Sequence, residues 1–137
     1  MATKTTREKI THAEFVAQLE AQGVAKSGDY AFRCVCCGTV QSMRSLVAAG
    51  VREDAVERVV GFSCVGRYTG AGAWDKSKAA RRDVPGCDWT IGGLFGDLGR
   101  GIIVEHEGSE RPCFQIATPD EAQELKRRGG VGYRPQG

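Results

Sequence analysis

FRCVCCGT, residues 32–39, places three of the chain's six cysteines within four positions, and the purpose of so much sulfur decides how the rest of the chain is read. Cys34 and Cys37 form a Cys-x-x-Cys pair followed by Gly38. That spacing lets two thiolates from one tight turn reach the same tetrahedral ion, and glycine accepts the positive φ such a turn requires. Zinc held by such a pair takes two further ligands. Cys64 in FSCVGR and Cys87 in PGCDW are the candidates, because each stands at a turn-like junction that presents a side chain easily. The expected site is therefore Cys34, Cys37, Cys64 and Cys87 around one structural Zn2+. With 22 residues between its last two ligands, it is not a paired double knuckle.

The remaining sulfurs read differently. Cys36 lies between the two knuckle ligands and is expected to point elsewhere, while Cys113 falls in an expected strand where a thiol packs as a small hydrophobe. His106 and Cys113 are the alternatives should either distal ligand fail to reach. A redox Cys-x-x-Cys sits at a helix start within an α/β sheet, and that context is not found here. Four thiolates fill the zinc tetrahedron and leave no position for water or substrate, so the metal's role is structural.

The compartment argues the same way. The N-terminal MATKTTREKITHAEF has no apolar segment of the kind a secretory signal carries. No stretch approaches the roughly 18 consecutive apolar residues of a membrane span. A reducing cytosol is the expected setting, where six cysteines serve as ligands or free thiols rather than three disulfides. At 137 residues the chain is one domain able to bury roughly two-thirds of its unfolded surface, so it does not need metal merely for being small. Its 19 basic against 17 acidic residues give a charge of +2, too weak to imply nucleic acid by itself.

Outward from the cysteines the pattern is that of a small α+β domain over residues 11–128. Residues 1–10 read as a disordered lead-in and 129–137 as a flexible tail. Thr11 and Glu14 fit a capping box for a helix that buries Phe15, Val16 and Leu19 and ends at Gly23. DYAFRC, residues 29–34, is a short strand feeding the cysteine turn, followed by a departing helix marked by Met43, Leu46 and Val47. VREDAVERVVG, residues 51–61, is a second helix. GIIVEH and PCFQIA are two strands of a small antiparallel sheet in the second half, joined by a polar turn. Thr118 and Glu121 then cap a last helix with Pro119 at its first position.

Residues 66–86 have glycines and a basic run but no hydrophobic period, and are expected to form a long exposed loop. Arg67, Lys76, Lys78, Arg81 and Arg82, interleaved with Tyr68 and Trp74, make it the candidate partner-binding segment. Such an arm suits phosphates and exposed bases, and an acidic protein surface equally. The only two histidines, His12 and His106, have no sequence-near nucleophile or base, and the glycine pairs lack the strand-loop-helix frame of a phosphate cradle. No enzyme is expected.

RCVCCGTVQSMRSLVAAGV, GFSCVGRYTGAG, GCDWTIGGLFG and PCFQIATPDEAQEL resemble a family of small uncharacterised proteins encoded by tailed phages and prophages of proteobacteria, over roughly residues 12–125. The family pattern is Cys-x-x-Cys-Gly with later single cysteines in FSC and GCDW, which match Cys34, Cys37, Cys64 and Cys87, while Cys36 stands outside it. The resemblance implies a phage accessory protein working in the host cytoplasm. With no catalytic group in view, the expected function is to bind and block a host component, a protein or ribonucleoprotein complex, as an anti-CRISPR inhibitor of bacterial defence does. The alternative is a zinc-stabilised nucleic-acid-binding module using residues 66–86. An enzyme depending on His106 or Asp88 comes third.

Overall fold

A computed structural model of the chain describes residues 8–71, 86–87, 90 and 101–135. Within them lie five α-helices and two three-stranded sheets, an α+β domain as expected. The sheets draw strands from both halves of the chain, which extends the expectation of one sheet in the second half.

The first sheet begins inside the supposed lead-in. Glu8–Thr11 forms β1 and pairs in parallel with β4, Ile102–His106, with Ile10 opposite Val104. Only Ile10 of its four side chains is buried, so the stretch EKIT shows no alternation from which a strand could be read. Lys9 adds ion pairs to Glu110 at 2.8 Å and Glu105 at 3.6 Å. β4 returns through β5, Ser109–Cys113, as the expected hairpin. Its turn uses Glu107 and Gly108, both at positive φ, as a tight two-residue connection between twisted strands requires.

Thr11 then opens α1, His12–Glu20. Its hydroxyl accepts from Glu14 N at 3.1 Å while Glu14 Oε1 accepts from Thr11 N at 2.8 Å, the reciprocal box read from the sequence. The last helix, α5 at Pro119–Arg127, opens on the same device from Thr118 and Glu121. Between them are α2 at Met43–Ala48, α3 at Val56–Val59 and α4 at Gly66–Thr69. α3 is shorter than the eleven-residue stretch expected to be helical. α4 occupies the start of the expected loop, closed by Gly70 at a left-handed φ of 78°. A four-residue turn opening on glycine has no period to detect.

The second sheet runs β3, β2, β6, antiparallel throughout: Val40–Ser42, Ala31–Arg33 and Gln115–Ile116. The cysteine turn is thus the connection of a β2–β3 hairpin, and α2 departs only after a strand that the sequence did not reveal. All three residues of β3 are buried, two of them polar, so neither alternation nor a hydrophobic run marks it. The expected flexible tail docks against its outer edge. Tyr133 exchanges backbone hydrogen bonds with Val40, donates its hydroxyl to Glu121 O at 3.1 Å and lies under the Arg128 guanidinium at 4.3 Å.

Two apolar clusters follow from this arrangement. Phe32, Leu46, Phe114 and Val60 pack with the cysteines, and Val24, Val40, Ala122 and Leu125 fill the space under α5. Gln22, fully buried, knits the second: its amide donates to Ala31 O and Ala117 O and its oxygen accepts from Ala31 N, all at 2.9 Å.

Candidate metal centre

Cys34 follows β2 directly, and the turn from 34 to 39 is closed by Cys34 N donating to Thr39 O at 2.9 Å and Gly38 N donating to Cys34 O at 3.1 Å. Gly38 sits at a φ of 80°, the conformation for which glycine was expected after the knuckle. Cys34 and Cys37 are therefore placed together by backbone only a few residues long.

Cys64 and Cys87 arrive by tertiary contact. The chain around Cys64 is clasped by Gln41 of β3, whose buried amide donates to Val60 O and Ser63 O at 2.8 Å each while its oxygen accepts from Val65 N at 2.7 Å. Cys87 is delivered by a crossing of two glycines. A Cβ on Gly66 would lie 2.6 Å from Cys87 O, and one on Gly86 would lie 2.6 Å from Gly66 Cα, so neither backbone could approach the other with a side chain present. Thr39 fastens the crossing: Gly86 N donates to its hydroxyl at 2.8 Å, and that hydroxyl stands 3.1 Å from Cys37 Sγ, placed to donate to it.

The result is four buried sulfurs within 4.8 Å of one another. Cys34 Sγ and Cys87 Sγ are 3.8 Å apart, as are Cys37 Sγ and Cys64 Sγ. A disulfide needs about 2.0 Å, so these are free thiols in close array. Four sulfurs about 2.3 Å from a common tetrahedral ion stand about 3.8 Å from each other along each edge. The two measured edges have that length, and the donor set fits a thiophilic ion. Backbone amides point at the sulfurs as well, Cys87 N donating to Cys64 Sγ at 3.2 Å and Cys36 N to Cys34 Sγ at 3.4 Å. These bonds favour thiolate and fix each ligand's direction.

Electrostatics agree. Sulfurs packed this closely cannot all ionise without a cation among them, so protons divide unevenly. Hydrogen bonds from Cys34 hold Cys37 and Cys64 below the ordinary thiol range, while hydrogen bonding to Cys37 keeps Cys34 above it and to Cys34 keeps Cys87 above it. The cluster could hold a metal ion that supplies the missing positive charge.

The alternative ligands lie elsewhere. His106 ends β4 and faces His12, ring centroids 4.4 Å apart. Cys113 ends β5, with its thiol pushed up to about 12 by burial. Cys36 is half-buried and outside the cluster. Of the candidate partner-binding residues, Arg67 and Tyr68 stand exposed on α4, directly after Cys64. Trp74, Lys76, Lys78, Arg81, Arg82 and also Asp88 lie outside the described residues.

Sequence reading missed the supports: Thr39, Gln41, Gly66 and Gly86. The one available signal was the pair of glycines flanking the distal cysteines, in Cys64-Val65-Gly66 and Gly86-Cys87. Nothing in the sequence marks a lone glutamine as a clasp.

No helix among the described residues is long and apolar enough to cross a membrane. Comparison with curated proteins and with solved structures gives no match. A family profile does match, over residues 11–117, a span that holds all four clustered cysteines and both sheets' central strands. The chain belongs to the VVA0879-like family, an uncharacterised one.

Proposed function

We propose that the cysteine cluster holds one structural Zn2+ and that the protein is a phage-encoded, non-catalytic accessory factor that binds and blocks a host component. The observation that carries the zinc reading is the pair of 3.8 Å sulfur edges in a buried all-cysteine set, which can fill every tetrahedral position from the protein. An ion so enclosed organises the fold and leaves no coordination site for a substrate. The blocking role is supported by the resemblance to phage proteins together with the lack of a carboxylate partner for either imidazole among the described residues. A host defence complex of the CRISPR type is the partner class this reading favours, in the cytoplasm.

One observation favours a second reading. Tyr68, 41% exposed, and Arg67 stand side by side on α4 immediately before the basic run, an arrangement suited to stacking on bases and contacting phosphates. A zinc-stabilised nucleic-acid module would use that edge.

Two measurements test the proposal. Native mass spectrometry of protein purified without chelator should give one zinc per chain, and protein without metal whose six thiols all titrate freely overturns the zinc reading. Expression in bacteria carrying a CRISPR–Cas system should restore plaque formation by a targeted phage. Unchanged plaquing, with binding to single-stranded DNA that falls steeply with salt, selects the nucleic-acid reading instead.

A further inference from the structure

Away from the sulfurs, α1, β4, β5 and the segment after α3 enclose a cleft of about 570 Å³, within the usual range for small-molecule sites. One wall is a row of flat rings: His106 lies 4.4 Å from His12, His12 6.2 Å from Phe15, and Phe15 6.0 Å from Phe32. Val60 and Val104 complete an apolar interior, and Phe62 stands at the rim, 38% exposed.

Charge is the second feature. Arg58 of α3 and Arg111 of β5 come to the cleft from different elements, against one carboxylate, Glu57. Five other described arginines are in ion pairs: Arg33, Arg44, Arg52, Arg127 and Arg128. Arg58 and Arg111 have no ion-pair partner among the described residues. A cleft with an aromatic wall and two uncommitted guanidiniums complements a molecule that is apolar and flat at one end and anionic at the other.

We infer that this cleft is a binding site for a small aryl carboxylate, its ring against the row from His106 to Phe32 and its carboxylate between Arg58 and Arg111. The site shares no lining residue with the sulfur cluster.

The chain has two histidines and both line the cleft, so their ring proton signals in NMR report on this site alone. Titration of the full chain with 2-naphthoate should shift both signals with a dissociation constant on the order of tenfold below that of neutral 2-naphthol, the margin one charge-assisted pairing provides. Arg58→Gln with Arg111→Gln, both exposed and outside any described ion pair, should remove that tenfold preference while leaving naphthol binding and the circular dichroism spectrum as they were. Equal affinity for naphthoate and naphthol, unmoved histidine signals, or tighter binding of adenosine monophosphate than of naphthoate would each overturn the assignment.

Discussion

The two halves of the sulfur cluster are built in opposite ways. Cys34 and Cys37 meet because six residues of backbone fold into one hairpin turn, held by two hydrogen bonds of its own. Cys64 and Cys87 meet them only because a buried glutamine and a pair of touching glycines bring distant segments in. The near pair is local chemistry, and the far pair is a consequence of the whole fold. A metal bound by all four would therefore close the loop between local and global order, since ligands from both classes share one ion.

The largest expected effect comes from breaking that link. Removing the metal with a strong chelator, or replacing Cys64 by Ser, should cost up to the order of 10 kcal/mol of folding free energy. Loss of near-ultraviolet circular dichroism together with loss of the bound ion in native mass spectrometry checks it. Retention of both in Cys64→Ser would mean that three sulfurs suffice and that Cys64 is not needed.

Next comes the glycine crossing. Gly66→Ala sets a methyl 2.6 Å from Cys87 O, and relief requires moving backbone rather than a side chain. Overpacking of this kind should destabilise by about 3 kcal/mol and detach Cys87 before it disturbs the hairpin turn. Denaturant midpoints measure the first effect. Faster alkylation of Cys87 than of Cys34, followed by peptide mass spectrometry, measures the second.

Gln41→Leu sharpens the contrast without touching a sulfur. It leaves Val60 O, Ser63 O and Val65 N without their buried partner, at a cost of about 2–3 kcal/mol. Because the clasp orients Cys64, metal affinity measured by chelator competition should also fall by about 10–100-fold. Gln22→Leu is the matched control: it removes three hydrogen bonds from an equally buried glutamine and should cost similar stability. Its partners, Ala31 and Ala117, belong to the cluster under α5, so metal affinity should stay within twofold of wild type. Equal loss of affinity in both variants would show that the site responds to overall stability and not to the clasp.

The same division explains what could be read in the sequence. Capping boxes at Thr11 and Thr118 and the Cys-x-x-Cys-Gly knuckle are legible because each is complete within four or five residues. The far cysteines were found by their turn-like settings, while the contacts that deliver them were not, since a hydrogen bond from Gln41 to Ser63 leaves no trace in either local stretch. β1 and β3 were missed for a related reason. β1 buries one side chain in four and β3 buries polar ones, so their identity as strands lies in their partners, Ile102–His106 and Ala31–Arg33, and not in themselves. Tyr133 likewise sits in a glycine-rich end whose order comes from Val40.

The smallest expected effect separates the cluster from the sulfur nearest to it in character. Cys113 is buried, thiols can bind metals, and it was an alternative ligand on sequence grounds. Its burial raises the thiol to about 12, with no hydrogen bond or charge acting to favour thiolate, whereas amide donors and neighbouring sulfurs surround the clustered four. A neutral thiol at a strand end acts as a small hydrophobe against Gly61 and Phe32. Cys113→Ala should then cost about 1 kcal/mol through lost packing, with the bound ion unchanged in stoichiometry and affinity. Any fall in metal affinity beyond that seen in Gln22→Leu would place Cys113 in the path that supports the far pair, and the boundary between packing sulfur and ligand sulfur would have to be redrawn there.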